Sequence, residues 1–307
     1  MATIEQEIWD KDIQENLFMS QDFIKFSKDY SAFVNKKTVH LPQAGNVPGI
    51  EKNRSVLPAL IGTRTDTLKS FDLSEFTVDP TTIPDIEELQ ISYAKRENVM
   101  RDIYNSLNER IGNEVAYSWA TNNGLISASG QIIKTTGTAT VNIAPPSGTG
   151  NRNAVKLTDI AAIAKKMDKD NVSTNGRYLL LPSDMYWNMI DENDTKLINA
   201  DYMNKGNLPN GIVNTIYNIN ILVRPSVVVY TSANVLKAVG AAGASGDLYG
   251  GIAWHSSSVC NALGTVETYL ELKRAEYYGS VFSARVMHGS TILRDDFKGV
   301  CTLVQSA

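Results

Sequence analysis

From Ile83 to Ala120 the chain reads IPDIEELQISYAKRENVMRDIYNSLNERIGNEVAYSWA. Apolar or aromatic residues fall at Ile86, Leu89, Tyr93, Met100, Ile103, Leu107, Ile111, Val115 and Trp119, in steps of three, four or seven. That spacing places them on one face of a helix. Pro84 with Asp85, Glu87 and Glu88 marks the start, with acid at the positive end of the dipole. Gly112 is the weak point inside it. At about 1.5 Å per residue the helix would be roughly 50 Å long, more than a compact domain requires.

The flanking segments have other periods. Residues 1–34 carry Ile8, Trp9, Ile13 and Leu17 at helical spacing, then Phe18, Phe23, Ile24, Phe26, Tyr30 and Phe33. A free terminus of this kind exposes too much apolar surface, so it packs on its own domain or on a partner. Our expectation is that Trp9, Ile13, Leu17, Phe18, Phe23 and Phe26 are buried between subunits. Residues 37–42, KTVHLP, read as a strand, and 67–78 alternate imperfectly through Leu68, Phe71, Leu73, Phe76 and Val78. Together they predict a long hairpin with a glycine-punctuated tip over 43–66. Two strands alone are marginal in water, so the hairpin should lean on a surface outside its own domain. Residues 121–152 predict a loop-rich connector. Residues 156–240 predict an α/β unit: a helix through Leu157, Ile160, Ala161, Ala164 and Met167, a buried strand at 177–181, a helix capped by Ser183, and strands at 219–223 and 227–230. Strand 248–255 and a helical turn follow, and the tail from 266 is strand-rich.

Composition narrows the picture. Of 307 residues, 43% are apolar and 20% charged, which marks a globular chain. The 29 basic and 33 acidic residues give a net charge of −4, against a protein that grips nucleic acid through a basic face, though not against one that encloses it. The N-terminus has no basic and apolar leader pattern, and no run approaches the ~20 apolar residues of a membrane span. Cys260 and Cys301 are not spaced as a metal knuckle, which predicts reduced, buried thiols. His40, His255 and His288 lie far apart, and no nucleophile elbow, zinc-protease helix or calcium loop is present. Asp295 and Asp296 are adjacent in a predicted strand, so they face opposite sides. We therefore expect no catalytic, cofactor or metal site.

The order of elements is the strongest signal: an aromatic arm, a long hairpin, a long helix, an α/β unit and returning strands. With the stretches KTVHLP (37–42), RYLLLPS (177–183), GIVNTIYNINI (211–221) and Tyr278-Gly279, this order resembles the major capsid proteins of tailed bacteriophages, the Hong Kong 97-type fold shared with encapsulins. The resemblance implies an α+β chain with an N-terminal arm (1–34), an extended hairpin or E-loop (35–79), a peripheral domain with the spine helix (80–152 and 266–307) and an axial domain (153–265). It implies a subunit that assembles with itself as hexamers and pentamers into an icosahedral virion shell around double-stranded DNA. The shell would form in the host bacterial cytoplasm with separate scaffolding, portal and decoration proteins, and without a membrane. Lys52, Arg54, Arg64 and Lys69 would meet acidic residues of adjoining subunits. An encapsulin compartment is the alternative of the same fold, and a soluble α/β enzyme with a dispersed site the alternative of another class.

Overall fold

The computed structural model describes residues 19, 21–45, 49–55, 57–58, 61–84, 95–120, 130–140, 145, 147–198 and 215–306. Two short 3₁₀ turns, Asp22–Phe26 and Ser31–Phe33, precede the strands β1 (Thr38–Gln43), β2 (Thr67–Asp72), β3 (Ser74–Thr77) and β4 (Thr81–Pro84). Then come α1 (Lys95–Trp119), β5 (Ile132–Lys134), α2 (Leu157–Lys169), β6 (Arg177–Pro182), α3 (Ser183–Ile198), β7 (Ile219–Arg224) and β8 (Val228–Tyr230). The chain ends in β9 (Leu248–His255), β10 (Val259–Arg274), β11 (Gly279–Ile292) and β12 (Val300–Val304).

The larger sheet runs β7–β6–β9–β12–β5, with a short strand Thr215–Ile216 outside β7 and β8 also paired to β9. Both its faces are covered, so its central strands read as unbroken apolar runs: every residue of β9 and of β12 is buried. Leu179, Leu181, Ala253, Cys301 and Leu303 meet α2 and α3 on one face. Leu180, Ile252, Trp254, Val300 and Val304 meet α1 on the other. The second sheet joins β10 to β11, and β11 to β3 and β4. Phe282, Ala284 and Val286 of β11 share a core with Ile103, Leu107, Ile111, Val115 and Trp119. The long helix thus lies between two sheets, and its expected apolar face is the buried one. Residues 85–94, with Ile86, Leu89 and Tyr93, lie outside the described residues.

Local chemistry fixes the ends of α2. The Asp159 carboxylate accepts the Lys156 amide at 2.9 Å and the Thr136 hydroxyl at 2.6 Å, closing the first turn onto the preceding loop. Past the last turn, the buried Arg177 donates to the Val172 and Ser173 carbonyls at 2.6 and 2.8 Å and pairs with Asp168 at 2.6 Å. A buried guanidinium is tolerated when its donors are engaged in this way.

Two expectations change. Residues 67–78 are not one strand: β2 pairs with β1, Leu73 turns the chain, and β3 pairs with β11. Ile132–Lys134, expected in a connector, is a strand parallel to β12. The turn expected after 255 spans residues 256–258, where the Ser258 amide donates to the His255 carbonyl at 2.8 Å, and β10 follows from Val259. The larger sheet joins β5 and β12, from the segments 80–152 and 266–307, to strands of the segment 153–265.

Candidate functional site

The hairpin β1–β2 is anchored at its base by its own subunit. Val39, Leu41 and Leu73 pack with Cys260, Ala262, Met287 and Leu293. The Gln43 side-chain amide donates to the Leu293 carbonyl at 2.6 Å, and Lys69 pairs with Asp295 at 2.8 Å. The base thus leans on a surface outside the 35–79 segment, as expected: alternate residues of β1 face β10 and β11 and find a core there. The tip is different. Ile50 and Ile61 are 95% and 97% exposed, and Leu57 is exposed as well. The Asp66 carboxylate holds the neck, accepting the Gly45 amide and the Arg64 guanidinium, each at 2.7 Å. Those two contacts, the Gly45 amide first, draw its carboxyl below the usual range.

Three of the four expected hairpin cations have partners within the chain: Arg54 with Glu51 at 3.4 Å, Arg64 with Asp66 at 2.7 Å, and Lys69 with Asp295 at 2.8 Å. Within one subunit these cations thus have short-range partners on the same loop or the adjoining tail. Lys52 is exposed and forms no ion pair among the described residues.

The arm is corrected in part. Phe23 is 3% exposed, edge-on to Trp119 at 5.6 Å and to Trp254 at 6.3 Å, and Phe26 stacks on Tyr178 at 4.3 Å. These two side chains sit in the subunit's own core, because the gap between α1 and the larger sheet is open at that end and an aromatic pair fills it. The Trp254 indole donates to the Phe26 carbonyl at 2.9 Å, and the Tyr30 amide to the Asn261 carbonyl at 2.9 Å. Gly112 is explained by the same contact. A Cβ there would lie 1.4 Å from the Gln21 amide oxygen, the movable end of that side chain, so the arm approaches α1 closely at this glycine. Beside Phe23 lies Arg224, 1% exposed, its guanidinium 5.6 Å from the ring and its pKa lowered to about 10 by burial. Trp9, Ile13, Leu17 and Phe18 lie outside the described residues.

The titratable groups are structural. His255 bonds Ser257 Oγ at 2.6 Å and the Asn175 carbonyl at 2.8 Å, and His40 is exposed. Burial lowers the His288 pKa to about 4, leaving the ring neutral at pH 7. Burial raises the Cys260 and Cys301 thiols to about 11 and about 12, which keeps them unreactive. Asp295 pairs with Lys69, whereas Asp296 pairs with Arg294 at 2.6 Å, so the two carboxylates serve separate contacts. A cleft between α1 and the 238–246 loop contains the Lys237–Asp247 pair, closed at 2.7 Å. Among the described residues no cluster of three or more His, Cys, Asp or Glu could hold a metal, and no helix is long and apolar enough to cross a membrane.

An arm threaded beneath a long helix, two sheets clasping that helix and an outstretched hairpin form the Hong Kong 97-type capsid fold. The same arrangement is found in the capsid of cyanophage P-SCSP1u (TM-score 0.66, 18% identity, 96% of this chain and 90% of that one). It is found also in the cyanophage Pam1 capsid (0.66, 9%, 96% and 94%) and in the head of Helicobacter pylori bacteriophage KHP40 (0.62, 12%, 95% and 93%). No curated protein matches the chain. The chain belongs to the phage capsid protein family, whose model matches residues 91–303. It is a major capsid protein of a tailed phage, a structural protein of the virion that self-assembles into the capsid lattice.

Proposed function

We propose that this subunit assembles as hexamers and pentamers into an icosahedral shell around double-stranded DNA, in the host bacterial cytoplasm, with separate scaffolding, portal and decoration proteins. In this reading residues 1–34 are the N-arm, 35–79 the E-loop and α1 the spine helix. The peripheral and axial domains meet within the larger sheet. The observation that carries the reading is the hairpin, held at its base and bare at its tip. Burying a large apolar side chain is worth roughly 1.5–3 kcal/mol before ordering costs, so Ile50, Leu57 and Ile61 favour a neighbour's surface over water. Lys52, Arg54, Arg64 and Lys69 are proposed to meet carboxylates of a neighbour, and Lys52 forms no ion pair among the described residues. Trp9, Ile13, Leu17 and Phe18 are proposed to dock on an adjoining subunit. A net charge of −4 suits a wall that encloses DNA without gripping it.

Hydrogen exchange tests this. Amides of the tip, residues 49–62, should exchange freely in unassembled subunits and gain protection in shells. Equal exchange in both states would remove the hairpin from the lattice contacts. Nuclease-protected double-stranded DNA inside purified shells is the expected content, and protein cargo in its place would move the chain to the encapsulin reading.

A further inference from the structure

The outer half of β10 presents an unused sheet edge. The arm covers the start of that edge: the Tyr30 amide donates to the Asn261 carbonyl at 2.9 Å, and the Leu263 amide donates to Ser31 Oγ at 2.9 Å. Beyond a bulge between Leu263 and Val266 the ladder with β11 resumes, with Val266 opposite Val286, Thr268 opposite Ala284 and Leu270 opposite Phe282. The Val78 amide donates to the Ala284 carbonyl at 3.0 Å from the far side of β11. Ala284 therefore turns its backbone groups away from β10, as do Phe282 and Val286 two residues to either side. Their partners Leu270, Thr268 and Val266 must turn theirs away from β11. Three amides and three carbonyls thus line an edge on which no backbone partner lies among the described residues. The side chains beside it are bare too: Val266, Leu270 and Leu272 are 53%, 47% and 58% exposed, although α1 buries their β11 neighbours Val286 and Phe282. An open edge of this length, with Val266, Leu270 and Leu272 bare beside it, is a template for a further strand.

We propose that the β10 edge pairs with the β10 edge of a second copy of this chain, antiparallel about a two-fold axis through Leu270, joining two second sheets into one. This rests on the capsid reading above, since a shell needs contacts that join rings as well as contacts that close them. An isologous contact is self-complementary, and the charges along β10 choose its centre. Centred on Leu270, that residue faces its own copy, Thr268 faces Leu272 and no like charges meet; the regular ladder ends there, since a second register shift lies between Glu271 and Arg274 and Lys273 has a φ of 52°. Centred on Tyr269, Glu267 faces Glu271, and centred on Glu271, that carboxylate faces itself; like charges directly opposite are destabilising. Centred on Thr268, Val266 faces Leu270 and the next outward pair falls in the bulge between Leu263 and Val266. In the Leu270 register Val266 and Leu270 of both copies merge into one apolar strip on the α1 side. The seam is short, so it holds in a lattice that repeats it and not in a free dimer.

Shells of the Leu270→Cys variant test the pairing. The two native thiols are buried and do not compete. Under mild oxidation the subunits should run as a two-subunit band on a non-reducing gel, because residues paired at the axis come within disulfide reach. The Val266, Thr268 and Leu270 amides should exchange rapidly in free subunits and become protected in shells. Thr268→Pro removes an outward amide that makes no bond within the subunit, so the variant should melt as the wild type does and fail to form shells. A monomer band from oxidised Leu270→Cys shells overturns the proposal. Protection of the three amides without that dimer band overturns it as well, by assigning the edge to another segment. Normal shells from folded Thr268→Pro do the same while leaving the capsid reading intact. Absence of shells from the wild-type chain would instead count against that reading.

Discussion

Replacing Phe23 by alanine separates a core residue from a lattice residue. The ring is 3% exposed and lies edge-on to Trp119 and Trp254, at 5.6 and 6.3 Å. Truncating a buried phenylalanine to alanine costs about 3–5 kcal/mol, through lost transfer energy and the cavity left behind. Each lost edge-to-face pair is worth about 0.5–1.5 kcal/mol beyond area, which places this site toward the upper end. The change also uncovers the Arg224 guanidinium, whose nitrogens have no hydrogen-bond partner among the described residues. At roughly 2 °C per kcal/mol for a chain of this size, the melting temperature of the unassembled subunit should fall by about 6–10 °C. The assay is a thermal melt followed by circular dichroism, at a concentration where sedimentation shows no assembly. A melt indistinguishable from wild type, with shells lost, would refute the reasoning and return Phe23 to an intersubunit contact.

Other perturbations have equally definite outcomes. Deleting residues 1–18 should leave a folded subunit that fails to make stable shells, whereas deleting 1–26 should also lower its melting temperature; circular dichroism with sedimentation reads both. Because His288 has a folded pKa near 4, below its ordinary value of 6.5, the unfolded chain binds the extra proton first. Stability from this site is present above about 6.5 and lost as pH falls toward about 4, by at most on the order of 3 kcal/mol; His288→Gln should flatten that part of a stability-versus-pH curve. Lys52→Glu should reduce shell yield in sedimentation without moving the subunit's melt. Asp295→Ala breaks the partly exposed pair with Lys69 and should shift the melt by no more than ~1 kcal/mol, the range of surface pairs.

Much of the architecture was legible because it rests on period. The face of α1 through Ile103, Leu107, Ile111, Val115 and Trp119 is visible at helical spacing, and the same residues are buried. The hairpin strand at 38–43 and the unbroken apolar runs at 177–182 and 248–255 are legible for the same reason. Pairing was not. Nothing in Ile132-Ile133-Lys134 announces a strand beside β12, and the turn at Leu73 that passes the chain from one sheet to another leaves the alternation almost unbroken. Aromatic density in the arm signalled burial but not whose core would receive it. Gly112 was the available clue, since a glycine inside a long helix marks a close approach, and here the approaching group is Gln21 of the arm. The hairpin cations were visible as charges, but their partners depend on loop geometry that spacing does not encode.

Electron microscopy of the purified, concentrated protein tests the central claim most directly. The account predicts closed icosahedral shells, with rings of five and six subunits resolved as their building blocks. A uniform small oligomer that persists at every concentration and ionic strength would contradict it.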